Sequence, residues 1–316
     1  MMLARVADAL YWMGRYIERA ENVTRLLMVA SDFSVELEGL DDRLAHREWE
    51  AVLAALPGAS PVALGKSSGL IVPHVRSLLL DEENPMSVFS SLARARDNAR
   101  SIGETLTREV FTTLNETHRE LRDRRKGLRN AVQAHDLASH THLGILTMLG
   151  AIEHTLTRDQ GWTYMKLGEA MERSQRSLLV MRVQLPVLST IEHEVDPSLF
   201  YAGWRSLLLS LASLENYRRA HGAALDPKTV TRFLLFDPST PRAVRCGVGR
   251  MKAYLSSLPA GDSGLRTAAR VMGKLDADMT YDEERVMELE DVGPFLNEVL
   301  HRLSETHDLI TRQGAP

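Results

Sequence analysis

The sequence predicts an all-α protein, a helical bundle of two pseudo-symmetric halves produced by internal duplication. Three observations predict it. Apolar or small side chains recur at alternating steps of three and four residues, strand-like alternation is nearly absent, and a set of landmarks occurs twice in the same order at an offset of 154 to 156 residues. The chain has 316 residues, 44% hydrophobic and 25% charged. That is a globular balance, about twice the ~150 residues usual for one domain, and enough chain to bury a core without staples.

The first thirty residues carry a seam at Leu3, Val6, Leu10, Met13, Ile17, Ala20, Thr24 and Leu27, the spacing of one bundle-facing helix side. Amphipathic runs follow at 42–56, 86–129, 131–156, 162–184, 201–221, 242–257, 264–280 and 294–312. Breakers punctuate them: Pro57-Gly58, Pro61, Gly65, Gly69 and Pro73, then Pro186, Pro197, Pro227, Pro238, Pro241, Pro259 and Gly261. The stretch 57–73 reads as a loop. The β-rich stretches are short, such as Leu70–Val72 and Val244–Val248.

The repeat is the most informative feature. LYWMGRYIERAENVTRLL at 10–27 returns as YMKLGEAMERSQRSLLVM at 164–181, so that Gly14, Glu18 and Arg19 map to Gly168, Glu172 and Arg173. Trp49 maps to Trp204, and LLLDEENPMSV at 78–88 maps to LLFDPSTPRAV at 234–244. The expected halves are 1–150 and 155–312, packed into one body around a pseudo-two-fold axis with a cleft between them.

Composition excludes several classes. A single cysteine, Cys246, leaves no disulfide framework and no multi-cysteine zinc site. A net charge of -4 argues against nucleic-acid binding. No apolar run spans a bilayer, and Arg5 and Asp8 interrupt any signal core. The expectation is a soluble, reduced, cytoplasmic protein with no membrane partner.

In the first helix, Gly14 costs about 1 kcal/mol relative to alanine, which points to close backbone approach by another element. Glu18 and Arg19 are adjacent and about 100° apart on the helix, so each looks elsewhere than to the other. Glu21 stands four residues before Arg25, the favourable order for an ion pair. These groups read either as packing ion pairs or as a polar pocket, with Glu as acid, base or amine anchor and Arg as carboxylate or phosphate clamp.

WMGRYIERAE, NPMSVFSSLARARDNAR, LTREVFTTLN and TRDQGWTYMKLGEAMERS, followed by YAGWRSLLLSLASLENYRRAHG and FLLFDPSTPRAV, resemble the alpha-E family across nearly the whole chain. That family is a bacterial all-helical domain named for its Glu-Arg motifs. The resemblance implies partnership with a circularly permuted ATP-grasp ligase, whose gene typically neighbours or is fused to the family's own. Transglutaminase-like peptidases and N-terminal-nucleophile hydrolases also occur nearby. The matching polar positions are Arg15, Glu18, Arg19, Glu21, Asn22 and Arg25, then Glu172 and Arg173, with Asn84, Arg96, Asn98 and Arg100 from the NP and RARDNAR segments. Arg96 and Arg100 share a helix face, so they call for either an acidic helix, supplied by Glu18 or Glu21, or an anionic ligand. Arg15, Glu21 and Arg25 become Glu169, Gln175 and Leu179 in the second copy, so the first half keeps more charge and any site is placed mainly there; the second motif also lacks the ERAD-type ending that the resemblance leads one to expect.

Other signals read as structural. His135, His140 and His142, with Asp136, do not share one helix face and read as surface and helix-end histidines, not metal ligands. Glu298 and His301 form one Glu-x-x-His where a di-metal bundle needs two. Cys246 reads as a buried thiol, and Tyr11, Trp12, Trp162 and Tyr164 as core. No phosphate loop is present, Gly65-Lys66-Ser67 lacking the upstream glycine, so no cofactor and no ATP use by this chain alone are expected. The expected function is an accessory, binding component of an ATP-grasp-dependent peptide-modifying or amide-bond-forming system that holds a peptide, an amino acid or the partner. One alternative is an enzyme with Glu18 as general acid or base and Arg19 stabilising the anion. A second is a scaffold in which the Glu-Arg motifs are packing salt bridges.

Overall fold

The computed structural model describes residues 2–37, 42–59, 62, 69–124, 128–191, 197–259 and 262–311. Among the described residues it is all-α, with fourteen α-helices and no strand. The chain divides into two compact units, Met1–Glu169 and Ala170–Pro316.

The first unit contains α1 (Ala4–Glu36), α2 (Asp42–Ala54), α3 (Ile71–Val75) running into a π-helical turn at Arg76–Leu80, α4 (Val88–Ser101), a 3-10 turn at Gly103–Thr105, α5 (Arg108–Arg124), α6 (Ala131–Thr155) and the start of α7 (Gln160–Leu188). α1 packs on α4 and α6, and α5 packs on the same two helices. The seam residues Leu10, Met13, Ile17, Ala20, Thr24 and Leu27 are all buried, and Thr24 returns its hydroxyl to the Ala20 carbonyl at 2.7 Å. Leu3 is the exception: it precedes the helix and is 70% exposed.

The second unit contains the rest of α7, then α8 (Pro197–Ser210), α9 (Leu214–His221), α10 (Pro227–Phe236), α11 (Val244–Ser257), α12 (Ser263–Tyr281), α13 (Glu283–Met287) and α14 (Gly293–Thr311). α12 packs on both α11 and α14, and Met272, Leu275 and Met279 of α12 and Val299 and Leu303 of α14 are buried. Helix starts follow side-chain chemistry. Ser87, Asn130, Asp226 and Asp262 accept from first-turn N–H groups of α4, α6, α10 and α12.

Several boundaries differ from the sequence expectation. The run 86–129 is two helices with a 3-10 turn between them, and 201–221 is broken where Ala212 adopts φ 46. The short helix α13 and the helices α3 and α10 fall where no run was expected. Proline explains two of these: Pro73 lies in the first turn of α3 and Pro227 at the start of α10, where a missing N–H costs nothing. Leu70–Val72 and Val244–Val248 enter helices, not strands, and Pro186 lies inside α7. Pro61, Gly65 with Lys66 and Ser67, and Gly261 lie outside the described residues.

The two copies of the Leu-Leu-x-Asp segment take the same local path. Asp81 and Asp237 end a helical turn with ψ 120, and each accepts an N–H two residues on before the next helix begins. Within the first unit, α1 and the start of α7 touch backbone to backbone. A Cβ on Gly14 would lie 2.0 Å from the Met165 carbonyl oxygen, and a Cβ on Gly168 would lie 2.0 Å from that of Tyr11. Gly150, inside α6, has nothing within 4 Å of such a Cβ. Gly14→Ala is therefore expected to destabilise by about 1–3 kcal/mol or more, because backbone must move. Gly150→Ala is expected to stabilise by about 0.5–1 kcal/mol. Thermal denaturation of the two variants checks both signs.

Candidate functional site

The glycine contact determines what surrounds the motif. From Gly14 onward the polar residues of α1 are turned inward: Arg15, Glu18, Arg19, Glu21, Asn22 and Arg25 are all buried, with Glu18 and Asn22 at 0% exposure. Six such residues on one helix are tolerable only if their charges and dipoles are paired. Arg25 grips Glu21 with two parallel bonds, Nε to Oε1 at 3.1 Å and Nη2 to Oε2 at 3.0 Å, which is the expected ion pair. His142, reaching across from α6, lies 3.2 Å from Glu21 Oε1. Neither Glu18 nor Arg19 is unpartnered.

Aromatic rings and guanidinium groups alternate on the half-buried side of α1. Trp12 stacks on Tyr16 with centroids 5.5 Å apart. Arg15 lies 5.2 Å over Trp12, while Arg19 and Arg94 lie 5.4 and 5.8 Å over Tyr16. Tyr11 and Tyr164 are core, as expected, whereas Trp12 and Trp162 are half-buried.

Asn22 is the anomaly. It is fully enclosed, yet neither Nδ2 nor Oδ1 has a hydrogen-bond partner. An unsatisfied buried amide costs about 1–3 kcal/mol, and its position four residues after Glu18 places it inside the charged layer.

The remaining sequence candidates divide. Asn84 holds its own turn: Nδ2 donates to the Ser77 carbonyl at 3.1 Å and Oδ1 accepts from the Met86 N–H at 3.0 Å. Its hydrogen bonds are thereby used in shaping the approach to α4. Arg96 and Arg100 do not find Glu18 or Glu21. Arg96 donates from Nε to Asn115 Oδ1 at 2.5 Å, and Arg100 lies 3.8 Å from Asp97. In the second unit Glu172 is fully buried and takes Arg176 Nε at 2.9 Å, while Arg173 is half-buried.

His142 is the residue that sequence reasoning passed over. The three histidines of α6 each go to a different carboxylate. His135 lies 3.3 Å from Asp32, His140 2.8 Å from Glu120, and His142 meets Glu21. Their divergence was legible; that one of them ends in the α1 layer was not, because it depends on which face of α6 meets α1. Among the described residues no group of three or more His, Cys, Asp or Glu could hold a metal ion, and no helix is long and apolar enough to cross a membrane. Glu298 pairs with Arg302 at 2.7 Å.

Two clefts lie apart from the motif. One of about 520 Å³ in the second unit is walled by Leu185, Trp204, Lys228, Asp291 and Leu296. One of about 450 Å³ in the first is walled by Val35, Ile71, Val132 and Asp136. Cys246 is buried, and burial pushes its thiol above the usual 9.0 despite Arg250 and Arg173 nearby. A thiol so placed is poorly ionised and shielded. Iodoacetamide at pH 8 is expected to leave Cys246 unlabelled in the native chain and to label it fully in denaturant, as read by intact mass.

The domain described as "Alpha-E: a predicted alpha-helical domain with a conserved ER motif" matches residues 2–313. An uncharacterized protein of Mycobacterium bovis and uncharacterized proteins of two Mycobacterium tuberculosis strains are each 28% identical to it over 303 residues. The match takes in 92% of this chain but 33% of each relative, so the chain spans about a third of the length of these relatives. No solved structure matches significantly.

Proposed function

The chain belongs to the alpha-E family, and from that premise we propose that it is the binding component of a peptide-modifying or amide-bond-forming system driven by a circularly permuted ATP-grasp ligase. In this reading the ligase supplies ATP chemistry, a transglutaminase-like peptidase can act on the same peptides, and this chain holds the peptide or amino acid. The observation that carries the reading is Asn22. Its Oδ1 can accept one N–H and its Nδ2 can donate to one carbonyl, the complement of a single peptide group. The surrounding charges, Glu18 and the Glu21–Arg25–His142 set, suit the amine and carboxylate ends of an amino acid. The layer is closed around Asn22, so a ligand enters by displacing side chains. The long relatives support the same reading, because there the matching region is one part of a larger chain.

A specific observation favours a scaffold instead: Glu21–Arg25 and Glu172–Arg176 are buried pairs one helical turn apart, an arrangement that also fixes packing. Glu18 as a general acid or base is the third reading, and it requires that the isolated chain turn over a peptide.

Asn22→Leu separates them. Removing an unsatisfied buried amide is expected to stabilise the chain by about 1–2 kcal/mol. In the binding reading the same variant, co-purified with the ligase and given ATP and cellular peptides, forms none of the mass-shifted products that the parent complex forms. Unchanged products from Asn22→Leu support the scaffold. Products from the isolated parent chain, lost in Glu18→Gln, support the enzyme.

A further inference from the structure

Outside the α1 layer, α4 and α5 assemble a cationic group that the Glu-Arg motif does not absorb. Arg96 and Arg100 lie one turn apart on α4. Asn115, His118 and Arg122 share one face of α5, at spacings of three and four residues. Two contacts bring these faces together: Arg96 Nε donates to Asn115 Oδ1, and the His118 ring lies on Phe89 with centroids 4.8 Å apart.

Two features of this face are incomplete. Arg96 is half-buried, and its side-chain partner is a neutral amide; no carboxylate among the described residues reaches it at ion-pair distance. His118 is 7% exposed, and its imidazole makes no hydrogen bond among the described residues. Both groups are held below their ordinary pKa, first by burial. Arg100 and Arg122 add to this for Arg96; Arg96, Arg122 and Arg100 add to it for His118. The opposing charge acting on either is Asp97. α6 also packs on α5 but contributes none of the charges that shift His118. The neighbouring carboxylates are solvated: Asp97, 3.8 Å from Arg100, is 73% exposed, and Asp123, 3.3 Å from Arg122, is 61% exposed. Such pairs neutralise little.

A guanidinium whose side-chain partner is a neutral amide and an imidazole without a protein hydrogen bond both have bonding capacity to spare. One anion placed between them uses both, with the exposed Arg100 and Arg122 on the same helix faces adding charge. We propose that this α4–α5 face binds a dianionic oxyanion of the phosphate type, carried by a small molecule, through Arg96, Arg100, Arg122 and His118. Guanidinium forks match the geometry of such an oxyanion. Its second negative charge suits a site with three guanidinium groups and an imidazole able to take up a proton. The inference is independent of the Asn22 reading, since none of these groups belongs to that layer.

The sign of the pH effect follows from His118. Its imidazole, held below 6.5, is neutral at pH 7. A bound dianion favours the imidazolium, so binding takes up a proton and tightens as pH falls through the neutral range. The probe is sulfate, whose charge is constant over that range, titrated calorimetrically at low ionic strength in two buffers of different ionisation heat. Expected are saturable sulfate binding with proton uptake, saturable binding of inorganic phosphate with a smaller net uptake, because its monoanion gives up a proton on binding as the dianion, and at least ten-fold weaker binding of acetate. Arg100→Gln with Arg122→Gln weakens sulfate at least ten-fold while the melting temperature without sulfate is unchanged, both side chains being 55% exposed. His118→Gln removes the proton uptake. Arg270→Gln with Lys274→Gln, which removes an exposed like-charged pair from α12, leaves the affinity as it was. The proposal is overturned by non-saturable sulfate binding, by equal losses in the α12 control, by acetate binding as tightly as sulfate, or by proton uptake that persists without His118.

Discussion

The contact between the Gly14 and Gly168 backbones is the constraint on which the first unit rests. Each glycine presents bare Cα to the other helix's carbonyl three residues before the facing glycine, Met165 in one direction and Tyr11 in the other. No side chain fits there, so both helices accept the propensity cost of glycine in mid-helix. In return the α1 backbone is drawn into the interior. The residues that follow are then largely withdrawn from solvent, and the charged sequence Arg-x-x-Glu-Arg-x-Glu-Asn-x-x-Arg from Arg15 to Arg25 becomes a buried layer. Burial of those charges is a consequence of the crossing, and their pairing is the condition under which the crossing is tolerated.

That dependence explains why one group in the layer is informative. Glu21 and Arg25 satisfy each other along the helix, and His142 adds a third member from α6. A layer selected only for packing has no reason to keep an amide with two idle hydrogen-bonding atoms, because an apolar side chain of similar volume costs less. Asn22 leaves both of its polar atoms without a partner, and it is on this cost that the proposed binding role rests.

Much of the fold was legible in the sequence, for a physical reason: long helices carry a strong 3-4 apolar period, and α1, α6, α7 and α12 show it. What sequence reading lost were short helices and ends. Pro73 and Pro227 were read as breakers although each occupies a first turn, where proline is compatible with a helix. The break at Ala212 has a positive φ on a residue type that gives no warning of it. The site was legible in part. Gly14 announced a close approach, and the Glu21–Arg25 spacing announced an ion pair. Arg96 and Arg100 were read as calling for an acidic helix or an anionic ligand; their neighbours Asn115, His118 and Arg122 share a face of α5, but that this face meets α4 depends on packing and not on the linear sequence. Asn84 was read as a site residue, and its turn-forming bonds to Ser77 and Met86 were not foreseen, because a buried asparagine beside proline has the same sequence appearance in either role.

The most direct test concerns whether the Asn22 amide is available to a peptide group. N-methylacetamide is the simplest molecule carrying one, and the side-chain N–H pair of Asn22 can be followed by nitrogen-edited NMR, assigned by its absence from a variant lacking the amide. The account predicts that this resonance moves saturably on titration, ahead of the exposed asparagine and glutamine amides. A resonance that stays fixed, or drifts linearly with those surface amides, contradicts it.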